Sequence, residues 1–178
     1  MNAYRARLRL AAALRDGKPI YNGSQDHASA IVEAMFEHAN ESVSILSGKL
    51  NPRVYGQSEV IEQASLFLAE PDHKLRVLVE DGSESSIQDH PFFEKFIAYK
   101  NVEVREVPAA YQDLYKFHFL VMDSDSYRFE ADKSECVAVA VFGDKAGAKN
   151  IANIFESLWA PSTPIGASSQ SEAIRSVA

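Results

Sequence analysis

The chain is poor in cysteine, with Cys136 alone among 178 residues. One thiol excludes an internal disulfide and any multi-cysteine zinc site, and it makes a reducing, cytoplasmic setting the default. No apolar run approaches the roughly 18 residues that a membrane-spanning helix needs. The basic start, MNAYRARLRLAAALRDGKP, is interrupted by Arg9 and Arg15, so a helix is expected there rather than a secretory signal. No Gly-x-Gly-x-x-Gly, P-loop or Gly-x-Ser-x-Gly is present, and no cofactor is expected. His27, His38, His73 and His90 are scattered without metal-ligand spacing. His27 and His38 share a face of one predicted helix but lie about 16 Å apart along it, so no metal site is expected. Basic charge is also in short supply: 18 Lys and Arg face 25 Asp and Glu, for a net charge of −7 and a pI near 5.2. That balance disfavours general nucleic-acid coating, which depends on neutralising phosphates.

What is present is enough for one ordinary domain, with 46% hydrophobic residues. Charge is unevenly spread. Arg5, Arg7, Arg9, Arg15 and Lys18 face the single acid Asp16, so the first twenty residues are +4 and the rest −11. Such a basic helix is expected to dock on its own acidic body, to meet a partner, or to stand solvated. Helical stripes are predicted over 2–15, 24–40 (with Ser24 as N-cap), 58–69, 91–99 and 144–160. Strands are predicted over 42–48, 74–80, 101–107, 116–123, 126–130 and 136–142. Helices alternate with strands in the first half and strands then run consecutively. The expected fold is α/β, a mixed and mostly parallel sheet sandwiched by helices. Three segments are expected: a basic helix and linker over 1–20, the α/β domain over 21–160, and a small, polar, disordered or partner-binding tail over 161–178.

The strand KFHFLVMD (116–123) carries the most information. Side chains alternate across a strand, so Lys116, His118, Leu120 and Met122 share one face. Two ionisable groups at the start of an apolar strand need partners. This segment resembles one half of a phospholipase D-like domain, whose mark is His-x-Lys, four residues, then Asp on a hydrophobic strand. Phe119, Val121, Met122 and Asp123 match that strand. SYRFE stands where the family has Gly-Ser-x-Asn, and the closing SECVAVAVFGDKAGAKNIANIFESLW resembles the family's last strand and helix, ending on Phe155 and Trp159. HASAIVEAMFEHANESVSILSG and KLRVLVED are similar to its opening helix and first two strands, so the resemblance spans about 22–160.

The departures fall on the chemistry. The family's histidine position holds Lys116 and its lysine position holds His118; Gly-Ser-x-Asn has become a stretch with Arg128, Phe129 and Glu130. In the family a histidine attacks phosphorus. An ammonium has no lone pair for that, and His118 is displaced by roughly 6–7 Å along the strand. The resemblance thus implies the scaffold without the usual catalysis. A phosphate or ligand pocket is expected from Lys116, His118 and Arg128, with Ser47 and Asn51 after the first strand and Glu130 beside them. Tyr55 would lie over it as a lid or serve as turn packing. Pairing of these cations with Glu80 or Glu130 would make the cluster an internal ion-pair network; both outcomes stay open.

The resulting expectation is a non-catalytic binding or scaffold module, acting as a homodimer or as a subunit of a larger assembly. The resemblance implies the homodimer, because family members with one motif per chain pair about a two-fold axis. A protein partner fits the acidic surface better than a phosphorylated ligand or nucleic acid. Two alternatives stand: a phosphodiesterase or nuclease in which His118 is nucleophile or general acid with Lys116 and Arg128 stabilising charge, and a small-ligand regulatory α/β domain.

Overall fold

The computed structural model describes residues 2–135 and 137–166. The chain opens with α1 (Asn2–Leu14), β1 (Pro19–Asn22) and α2 (Gln25–His38), capped by Ser24, whose Oγ accepts the His27 N–H. A βαβαβ run follows: β2 (Ser42–Ser47), α3 (Pro52–Tyr55) with α4 (Ser58–Leu68), β3 (Lys74–Val79), α5 (Glu84–Gln88) with α6 (Pro91–Phe96), and β4 (Val102–Glu106). The short α7 (Ala109–Gln112) leads into β5 (His118–Met122), β6 (Ser126–Glu130), β7 (Ala138–Phe142), α8 (Lys145–Trp159) and β8 (Thr163–Ile165).

The strands form one eight-stranded sheet in the order β1-β7-β6-β5-β2-β3-β4-β8. Only β2–β3 and β3–β4 are parallel; the other five pairings are antiparallel. The sheet is therefore mixed as expected but not mostly parallel. The reason is the connections. Helical crossovers join β2, β3 and β4, and only such long links permit parallel neighbours. From β5 to β7 the strands are joined as hairpins, and β5 enters beside β2 in the opposite direction. Within the segment expected as a tail, Thr163–Ile165 pairs with β4; residues 167–178 lie outside the described residues, as does Cys136.

Helices cover both faces. The larger core lies on the side of α1, α2, α4 and α6, where Ile31, Met35, Phe36, Phe92 and Phe96 pack on Val43, Ile45, Leu120 and Met122. Nine consecutive residues of α2, Ala28 to Phe36, are buried because the helix is enclosed by α1, α4 and the sheet. The smaller core lies under α8, where Phe155, Leu158 and Trp159 meet Leu46, Leu78, Phe119 and Val121. Both faces of β5 are thus apolar beyond its first residue.

The basic helix docks on its own acidic body. Arg5 and Arg9 hold the buried Glu33 at 3.1 and 3.2 Å, and Arg9 also meets Glu37 at 2.8 Å. Arg15 reaches the β5–β6 turn, where it pairs with Asp123 at 3.1 Å and with Asp125.

Candidate functional site

The two ends of β5 carry the residues that the sequence singled out. At its C-terminal end, Asp123 and Ser124 both adopt left-handed backbone (φ 52° and 58°), the geometry of a tight hairpin turn. Asp tolerates that region better than most residues. Its carboxylate accepts the backbone N–H groups of Asn40, Glu41 and Ser42 at 2.9–3.1 Å and an N–H of Arg15 at 3.1 Å. Burial alone would raise the Asp123 pKa; these donors outweigh it and hold the carboxyl below its ordinary value. Asp123 therefore locks the start of β2 to the end of β5.

At the other end a cavity of about 430 Å³ opens beside the last residue of β2 and the first of β5. Its polar lining includes Ser47, Asn51, His118, Arg128, Glu130 and Lys133. Register explains the cluster: His118 lies opposite Glu130 and Leu120 opposite Arg128 on neighbouring antiparallel strands, all on the larger-core face. His118 stands between two carboxylates, with Nε2 3.6 Å from Glu80 Oε1 and Nδ1 3.7 Å from Glu130 Oε2. Each carboxylate has a second cation. Arg128 donates to Glu130 at 2.6 Å, and Lys133 Nζ donates to Glu80 at 2.9 Å. Lys49, on the loop after β2, pairs with Asp81 at 3.1 Å.

Electrostatics follow from this pairing. Burial disfavours a charged imidazole, but Glu130 and Glu80 outweigh it and hold the His118 pKa above its ordinary value. Burial also opposes ionisation of Glu80, yet His118 and Lys133 bring its pKa down to about 2. Glu130 is lowered for the same reason, by His118 and Arg128 against burial. Tyr55 is pushed up by burial. The Nε–H of Arg128, itself 3% exposed, and Nε2 of His118 are buried without a hydrogen-bond partner among the described residues.

The structure brings His118, Arg128, Glu130, Ser47 and Asn51 to one cavity, with Tyr55 in its wall. Ser47 and Asn51 also serve their own loop: Ser47 Oγ accepts the Leu50 N–H at 3.2 Å and Asn51 Oδ1 accepts the Arg53 N–H at 3.0 Å. Lys116 is the exception. It precedes β5, is exposed and does not line the cavity, and its carbonyl accepts the Lys133 N–H at 2.8 Å. Strand alternation placed it beside His118, but the strand begins two residues later. Lys133 takes its place from the β6–β7 loop, and no sequence signal marked it. Gln112 was also missed; its Nε2 donates to the carbonyls of Glu80 and Val107 at 2.8 Å each and so fixes the Glu80 backbone. No cluster of His, Cys, Asp and Glu suited to a metal is found among the described residues.

Residues 24–167 match the family described as Domain of unknown function (DUF7931). The chain belongs to that family. No curated protein matches the sequence significantly. Among solved structures this DUF7931 chain is similar to NucT from Helicobacter pylori, at 13% identity and TM-score 0.62, covering 84% of this chain and all of that one. It is similar to Nuc from Salmonella typhimurium, a phospholipase D family member, at 11% identity and TM-score 0.57, with 84% and 100% covered. It is also similar to TrmBL2, an archaeal chromatin protein whose structure shows a novel mode of DNA binding, at 12% identity and TM-score 0.61. That match covers 92% of this chain, which spans 61% of TrmBL2. The fold is phospholipase D-like.

Proposed function

We propose that the chain is a non-catalytic phospholipase D-fold module that works by binding. One observation carries this reading: the cations at the cavity are engaged by the chain's own carboxylates. His118 lies between Glu80 and Glu130, Arg128 is bonded to Glu130, and Lys133 to Glu80. A phosphodiester entering the cavity would have to displace two half-buried carboxylates from three cations. Such exchange costs several kcal/mol when the group left behind stays buried and unpaired. The altered motif supports the same reading, since Lys116 stands at the family's histidine position and lies outside the cavity. In this reading His118, Arg128, Glu130, Ser47 and Asn51 shape a pocket for a ligand. The chain acts as a homodimer or subunit of an assembly, in the cytoplasm, with a protein as its partner. No described helix is long and apolar enough to cross a membrane.

A second reading has its own support. His118 lines a cavity large enough for a phosphodiester, and NucT and Nuc share the fold. In that reading His118 is the nucleophile or general acid of a phosphodiesterase or nuclease, and Arg128 stabilises charge. Cleavage of a chromogenic diester and of single-stranded DNA, with and without divalent metal, separates the two. The non-catalytic module gives no turnover above that of His118→Ala; metal-independent turnover lost in His118→Ala establishes the enzyme.

A further inference from the structure

Five charged side chains alternate in sign beside the cavity, Lys133, Glu80, His118, Glu130 and Arg128; all but Glu80 line it. They come from separate parts of the chain. Glu80 follows β3, His118 begins β5, Arg128 and Glu130 close β6, and Lys133 sits on the β6–β7 loop. Of these types only an imidazole titrates near neutrality in ordinary surroundings. The other ionisable groups around it are Tyr55 from α3, Tyr115 ahead of β5, Lys49 after β2 and Glu135 on the same loop as Lys133. Nε2 of His118 makes no hydrogen bond, so its tie to Glu80 is one of charge and goes with the proton.

We propose that His118 is a proton-operated latch on the cavity. Its imidazolium bridges Glu80, at the end of β3, and Glu130, at the foot of loop 131–135; its deprotonation removes that bridge, leaves the loop held by Lys133 alone and lets the cavity open. Lys133, Ser134 and Glu135 of this loop line the cavity, so the moving part is its wall. The sign follows from linkage. A histidine held above its ordinary value of 6.5 contributes fully below that value and loses its contribution as pH rises through its folded value. The acid side is secure, because Glu80 stays ionised down to about pH 2. The cavity is thus closed below the ordinary imidazole value and opens as pH rises through the higher folded value of His118. The latch rests on reading the cavity as a ligand pocket.

Hydrogen exchange of the full chain tests it, at about pH 6 and about pH 9 and corrected for intrinsic rates. The reporter is the Lys133 amide, bonded to the Lys116 carbonyl, and the control is β2 in the core. Protection of 131–135 is expected to fall about tenfold across that range while β2 holds, a change of about 1.4 kcal/mol. In His118→Gln the fall disappears. In Glu130→Gln, which keeps the histidine, the NMR titration midpoint of His118 drops. Flat protection in the wild type, the same fall in His118→Gln, or an unmoved midpoint in Glu130→Gln overturns the latch. Diester turnover measured on the same samples removes the non-catalytic reading without touching the exchange result, so the two failures are distinguishable.

Discussion

The two ends of β5 hold ionic clusters built in different ways. At the Asp123 end the carboxylate is saturated by three backbone N–H groups and an arginine, all at hydrogen-bond distance. At the His118 end the imidazole meets two carboxylates only at 3.6 and 3.7 Å, and one of its nitrogens is unbonded. Backbone donors cannot change their charge and are fixed by the fold, so the first cluster is architecture. The second is made of side chains, one of which titrates near neutrality, so it can rearrange. Asp123 ties the start of β2 to the end of β5 and so holds the fold together. His118 belongs to the end that opens on the cavity.

Four substitutions sharpen this contrast. Asp123→Ala strips the acceptor from three backbone donors and leaves Arg15 with Asp125 and the His38 carbonyl; a loss of about 3–5 kcal/mol is expected by urea denaturation. Asp123 also sets the acid limit. Its folded pKa is depressed, so its contribution is present above the ordinary value of 3.8 and is lost as pH falls below that, and acid denaturation of the wild type must steepen there. Arg128→Met removes a buried guanidinium from the half-buried Glu130, leaves it with His118, and should cost about 2 kcal/mol in the same assay. His118→Gln should cost about 1 kcal/mol near pH 6 and progressively less as pH rises through the raised folded value of His118, because the stabilisation requires the proton. Lys116→Ala should change stability by less than about 0.5 kcal/mol and leave the cavity as it is, because the side chain is exposed and lies outside it. A large effect at Lys116 would place its side chain in the cavity.

Much of this was legible in the sequence. Helix and strand positions follow from apolar periodicity, and β6 lies where it was predicted, over Ser126–Glu130. The pairing of Arg128 and His118 with Glu130 was within reach of the register, because an Asp-Ser turn fixes which residues of β5 and β6 face each other. Three things were not legible. The direction of β5 depends on where it enters the sheet, which no local signal states. The short β8 has three residues and stands only because β4 offers an open edge. Lys133 comes to the cavity through a loop that folds back on the Lys116 carbonyl, a long-range contact without a motif.

The central claim is that Glu80 and Glu130 already occupy the cations a phosphate would need. Calorimetric titration with inorganic phosphate tests it directly, in the wild type and in the Glu80→Gln, Glu130→Gln double variant. The account predicts no binding by the wild type at millimolar phosphate and measurable binding by the double variant, lost again when His118 is replaced. Binding by the wild type that disappears in His118→Ala would contradict it.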